Sequence, residues 1–149
     1  MSRSPRASRH RSREAALQVL YALDLSHREA SDLAGAGAEA FERAAENFEL
    51  PEGARAFAKE LIEGVMAHRA QLDEVVAGHA RNWRLERMAA VDRNVLRLAV
   101  FEILYSTTPT PVVIDEAVEL ARRFGGEKSP AFVNGILDAV AHAVRPEGV

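Results

Sequence analysis

Between Val91 and Tyr105 the apolar residues fall at 91, 95, 96, 98, 99, 100, 101, 103 and 104, which on a helix covers nearly the whole circumference. The pattern predicts a helix buried on most sides, and such a helix needs other helices around it. The chain supplies them. Ala16, Leu20 and Leu23 recur at helical spacing in a first helix of about 10–26, and residues 32–48 (Ala38, Phe41, Ala45, Phe48) form a weaker amphipathic segment loosened by Gly35 and Gly37. Phe57, Leu61, Ile62 and Val65 mark a third helix ending near His68, and Leu72, Val75, Val76 and His79 mark a fourth ending near Gly78.

After the buried helix, Thr108-Pro-Thr-Pro111 breaks the chain, with Thr110 expected as the N-cap and Pro111 at the first helical position. Ile114, Ala117, Val118 and Ala121 line the next helix, where Glu119 is expected to pair with Arg123 at i,i+4. Gly125-Gly126 stops it. Ser129 is expected to cap the last helix and Pro130 to open it, with Val133, Ile136, Leu137 and Val140 buried. The expected fold class is all-α, with about seven helices and no strand signal. At 149 residues, 48% of them apolar and only 6% aromatic, the chain suits closely packed helices better than sheets. It can bury roughly 70% of its unfolded surface without a metal or disulfide staple.

Charge is distributed unevenly. Arg3, Arg6, Arg9, Arg11, Arg13 and His10 occupy the first thirteen residues without one acid, and without them 14 bases face 22 acids elsewhere. A cationic arm on an acidic body points to a polyanionic partner, RNA or DNA. A solvated tail is the competing reading, and Ser2, Ser4, Pro5, Ser8 and Ser12 favour a flexible basic arm over residues 1–8. Residues 9–13, however, run without a linker into the helical pattern of Glu14 to Tyr21. An arginine held on a helix loses less entropy on gripping phosphate than one on a free tail.

Other classes fit less well. Gln18 and Asp24 break the apolar run that a secretory signal needs, and no stretch approaches the ~18–20 apolar residues of a membrane span. The absence of cysteine excludes disulfides and thiolate metal sites, and a soluble, cytoplasmic protein is expected. His10, His27, His68, His79 and His142 show no metal-ligand spacing, and each is read as a structural surface residue. Gly125-Gly126 follows a helix instead of opening one, so it is no phosphate loop. Asp73-Glu74 and Asp115-Glu116 are adjacent pairs that project apart on a helix and read as solvated faces. The acid-rich stretch 32–52 also reads as a solvated face. The expectation is a binding protein with no catalysis, no cofactor and no metal.

Four blocks carry a more specific resemblance: Arg13-Glu-Ala-Ala-Leu-Gln-Val-Leu-Tyr21, Asp92-Arg-Asn-Val-Leu-Arg-Leu-Ala-Val-Phe-Glu-Ile103, Val113-Ile-Asp-Glu-Ala-Val-Glu-Leu-Ala-Arg122 and Phe132-Val-Asn-Gly-Ile-Leu-Asp138. They resemble, in the same order, the signature blocks of the NusB family of bacterial transcription antitermination factors. The resemblance runs from about Arg9 to Pro146 and is weakest between Ser26 and Pro51, where it assigns no role. It implies a single all-helical domain over 9–146, built of two small helical subdomains packed on each other, with a tail at 147–149. It also implies a non-catalytic factor that binds single-stranded boxA RNA of ribosomal RNA leaders together with the small-subunit ribosomal protein NusE. That assembly helps RNA polymerase read through terminators.

Site residues follow from the same resemblance. Arg9, Arg11 and Arg13 match the family's arginine-rich start, and His10 stands where relatives can carry another arginine, so its phosphate contact would depend on protonation. Gln18 and Tyr21 lie i,i+3 on one helix edge, with Arg11 seven residues before Gln18 on the same side. Tyr21 reads as a base contact through the family and as a core-edge tyrosine without it. Phe132 matches a position beside the RNA, with plain core packing as the alternative. Glu86 and Asp92 resemble acids that meet the basic NusE; for Asp92 a first-turn acid favoured by the helix dipole is the alternative. Asn134-Gly135 reads as structural, the glycine permitting close helix approach. Arg93 and Arg97 are expected to pair with acids that the sequence does not identify. Removing Arg9, Arg11 and Arg13 together is expected to weaken RNA binding with helix content unchanged. Two other classes stay open: an accessory domain like that of ribosomal RNA methyltransferases, and a helical protein–protein adaptor. Self-association as a homodimer is also left open.

Overall fold

Helix α1 (Pro5–Leu25) carries the arginine-rich head directly into an apolar rod. It begins earlier than the expected position near residue 10. Proline suits the first turn, where its fixed φ is helical and its missing N–H would have no partner. The computed structural model describes residues 5–25, 50–81 and 84–145. The segment expected at 32–48 lies outside the described residues.

On α1, Ala15, Ala16, Leu17, Val19, Leu20 and Leu23 are buried, while Gln18, Tyr21, Ala22 and Leu25 are exposed. Helix α2 (Glu52–Ala67) packs on it through Ala54, Ala58, Leu61, Ile62 and Val65, which recur at helical spacing. Burying each of Leu17, Leu61 and Ile62 is worth about 1.5–3 kcal/mol of transfer free energy. Ala16 and Ala58, both without exposed surface, let the backbones approach closely. The buried Ser12 hydroxyl exploits that approach: it lies 2.9 Å from the Ser8 carbonyl on its own helix and 2.8 Å from the Ala54 carbonyl on the other. These helices belong to the first of two units, Met1–Ala67 and His68–Val149.

The second unit contains α3 (Arg69–His79), a 3-10 turn (Leu85–Arg87), α4 (Ala90–Tyr105), α5 (Thr110–Phe124) and α6 (Ser129–Val144). Helix α4 touches α3, α5 and α6, and every residue from Asn94 to Val100 is buried, followed by Glu102 and Ile103. The circumferential apolar pattern is thus explained by neighbours on several sides. Arg97 survives inside this helix because its Nε and Nη2 donate to the two carboxylate oxygens of Asp73, at 2.6 and 3.0 Å. Asp73 is therefore no simple solvated acid. Arg93 also bonds backbone carbonyls, its Nη1 donating to Leu85 and Met88 at 3.1 and 3.0 Å.

Helix ends depart from expectation in detail. Thr110 is the first residue of α5 and Pro109 precedes it as the cap, with no side-chain cap bond. The Thr110 hydroxyl instead accepts from Arg145 Nη1 at 3.3 Å. Ser129 likewise opens α6, and its hydroxyl accepts from the Gly126 N–H at 3.0 Å. Gly125 ends α5 in an extended conformation, so left-handed freedom is not its role. A Cβ there would sit 2.6 Å from Ser129 Oγ and 2.7 Å from the Ala121 carbonyl oxygen. Glu119 pairs with Arg122 at i,i+3, 2.7 Å apart. Gly135 is exposed with open space around it, so it serves no close helix approach. Among the described residues there are six α-helices, one 3-10 turn and no strand, and no helix is long and apolar enough to cross a membrane.

Candidate nucleic-acid interface

The turn of an α-helix, about 100° per residue, sorts the N-terminal side chains onto two faces. Arg11, Gln18, Tyr21 and Leu25 share one stripe, on which Gln18, Tyr21 and Leu25 are exposed and Arg11 is partly so. Tyr21 shows 38% of its surface, so its ring is open to solvent on one side. Arg9 and Arg13, one turn apart, lie on the other side and face α2. The sequence-derived set is thus divided: Arg11, Gln18 and Tyr21 come together, while Arg9 and Arg13 form a separate pair. His10 lies between the two faces around the helix, its Nε2 2.8 Å from Glu14 Oε1.

Arg9 and Arg13 look alike in sequence and differ in the fold. The Arg9 guanidinium carbon stands 4.5 Å from the centre of the Phe57 ring, and the residue is exposed. The Arg13 guanidinium carbon is 5.4 Å from the same centre, but only 3% of the residue is exposed. Arg13 is therefore covered where a phosphate would have to reach it, and acts from within the packed pair of helices. Arg9 lines a cleft of about 200 Å³ with Ser12, Gly53 and Phe57, between α1 and the first turn of α2.

The remaining site residues belong to the second unit. Phe132 sits half-buried in the first turn of α6. Glu86 is exposed on the 3-10 turn, and Asp92 occupies the first turn of α4. Asp92 is not the cap, which is Ala89. Its Oδ1 is buried and has no hydrogen-bond partner among the described residues. The Arg93 bonds to Leu85 and Met88 tie the turn bearing Glu86 to the helix bearing Asp92.

Phe57 and Arg145 were invisible as contributors in the sequence, because each acts on residues far along the chain. Phe57 also fits an ordinary core pattern. Arg145 gathers the end of α4: its guanidinium donates to the carbonyls of Ile103, Ser106 and Thr108 at 2.7, 2.7 and 2.9 Å. His68 is likewise more than an isolated surface ring, since it stacks on Tyr105 at 4.3 Å between centroids. Among the described residues no cluster of three or more His, Asp or Glu could hold a metal ion.

The fold and the stripe define an all-helical protein that displays arginine, amide and tyrosine side by side on one ordered helix. The chain belongs to the NusB family, whose family model matches residues 10–142. It is 46% identical over 138 residues to the transcription antitermination protein NusB of Myxococcus xanthus, covering 92% of this chain and 96% of that one. The NusB of Geobacter sulfurreducens is 41% identical over 142 residues, covering 95% and 99%. Among solved structures, T. maritima NusB matches with a TM-score of 0.79 at 35% identity, covering 94% of this chain and 92% of its own. A crystal structure of antitermination factors NusB and NusE in complex with dsRNA matches with a TM-score of 0.79 at 30% identity, covering 92% and 98%.

Proposed function

We propose that this protein is a non-catalytic RNA-binding transcription antitermination factor acting in the cytoplasm. It binds boxA RNA of ribosomal RNA leaders together with NusE and promotes read-through by RNA polymerase. The observation that carries the reading is the exposed Tyr21 ring on one stripe with Gln18 and Arg11 in a family of antitermination factors. The stripe joins a stacking surface, an amide and a phosphate-gripping fork, the combination that suits an unpaired strand. Arg9, His10 and Arg11 point about 100° apart around the helix, so a strand that meets all three wraps around α1. Arg13 stiffens the same helix from inside, and Phe132, in the second unit, is read as an RNA contact of its own.

Glu86 and Asp92 form the acidic surface for the ribosomal protein. The exposure of Glu86, on a turn that Arg93 ties to the helix bearing Asp92, supports this. A basic partner would be steered there by charge. The match along nearly the whole length of relatives named as transcription antitermination proteins favours the antitermination reading.

The deciding experiment is an RNA titration with a boxA leader fragment, with and without NusE. Tight binding that strengthens when NusE is added is the expected result. Equal indifference to boxA and to a scrambled strand, even with NusE present, removes the proposal.

A further inference from the structure

Arg9 differs from Arg11 and Arg13 on the same helix. Its guanidinium lies over the Phe57 ring at 4.5 Å, it is exposed, and among the described residues no carboxylate pairs with it. A guanidinium is planar and has two faces. One rests on Phe57, and the outward one is of the size and character that stacks on an unpaired nucleobase. The cleft lined by Arg9, Ser12, Gly53 and Phe57 gives a flat ring room beside it.

We propose that Arg9, backed by Phe57, is a base-stacking subsite: an unpaired nucleobase lies on the outer face of the guanidinium, forming a ring–cation–base sandwich. This rests on the RNA-binding reading above and assigns Arg9 a second task besides charge. Phe57 holds the guanidinium flat, so that the plane is set before the strand arrives and less side-chain freedom is lost on binding. Phe57 is a positioning residue here, acting through Arg9. The subsite lies about 120° around α1 from Tyr21, so the two offer separate stacking points to one strand that wraps along the helix.

The test compares an oligouridylate of about 12 nucleotides with an abasic ribose-phosphate strand of equal length, using the full chain. Both carry the same phosphates, so any preference for the uridylate reports stacking. Arg9→Lys keeps the charge and loses the plane; Phe57→Leu keeps an apolar side chain and loses the ring; Phe57→Tyr keeps the ring. Arg9→Lys and Phe57→Leu are each expected to cut the uridylate preference roughly fivefold or more, with the salt dependence unchanged, and Phe57→Tyr to retain it. The Arg9→Lys, Phe57→Leu double variant should be no worse than either single one, because both remove one sandwich. Wild-type preference retained in Arg9→Lys, or losses that simply add, overturns the subsite while leaving the RNA-binding reading intact. If the wild-type chain binds neither strand, with or without NusE, the subsite falls, and the boxA titration alone decides the RNA-binding reading. Arg9 is exposed, so its variant reports on the subsite even if Phe57→Leu disturbs the packing of α1 on α2.

Discussion

Arg97 on α4 and Asp73 on α3 meet in a two-pronged ion pair, with side-chain exposures of only 5% and 25%. Such a pair is not a large net source of stability, because both charges left water to form it. Losing one partner is another matter. Asp73→Ala takes both carboxylate oxygens away from the Arg97 guanidinium inside the helical core, where the Asn94 side-chain oxygen, 3.2 Å away, accepts from its Nη1. A loss of about 2–3 kcal/mol is expected in urea unfolding, below the value for a wholly buried pair because Asp73 is partly solvated. Asp73→Ala combined with Arg97→Met should recover part of it. A change under about 0.5 kcal/mol for Asp73→Ala would show that the arginine finds water instead.

Arg145 stands just past α6 and supplies the donors that the end of α4 lacks. Its fork reaches the carbonyl of Ile103 in the last turn of α4, those of Ser106 and Thr108 in the α4–α5 connection, and the Thr110 hydroxyl. A lysine could place a charge near the helix terminus but not bond that set of acceptors at once. Arg145→Lys is therefore expected to cost about 1–3 kcal/mol. Thermal unfolding of the two proteins side by side checks this, and equal midpoints would refute it.

Two glycines make opposite predictions. Gly135 lies within α6, exposed and with open space where a Cβ would go. Gly135→Ala is expected to stabilise by about 0.5–1 kcal/mol, since alanine loses less backbone freedom on entering a helix. Gly125→Ala should destabilise, because the new methyl would collide with Ser129 Oγ and the Ala121 carbonyl. If both variants shift the melting midpoint in the same direction, the distinction between open and crowded positions is wrong.

How much of this was legible in the sequence depends on the distance over which each signal acts. The burial of α4 was written in its own apolar pattern, and the stripe of Arg11, Gln18 and Tyr21 followed from helical spacing alone. Both are local. The Arg97–Asp73 pair, the Arg145 fork and the Phe57 ring under Arg9 and Arg13 join residues far apart in the chain, and no local pattern encodes them. The same limit explains Thr110 and Ser129. Each has the right chemistry for a cap, but a tertiary partner or a neighbouring turn claims its hydroxyl. Arg9 and Arg13 show the limit most plainly: identical residues one turn apart, one exposed and one covered.

That difference revises what the arginines should do in solution. Each phosphate neutralised on a single strand contributes about 0.7 to the slope of log affinity against log salt. Arg11→Ala is expected to reduce that slope by about 0.7, with folding unaffected because the residue is only partly buried. Tyr21→Ala should weaken binding of boxA RNA while leaving the slope alone, since a stacked ring releases no counterions. Arg13→Ala should chiefly lower stability, by about 1–3 kcal/mol, because the side chain is packed against Phe57 and almost wholly covered. Salt-dependent titrations paired with unfolding curves separate these outcomes. An Arg13 variant that folds as well as the wild type yet loses a phosphate's share of the slope would return that residue to the RNA-contacting set.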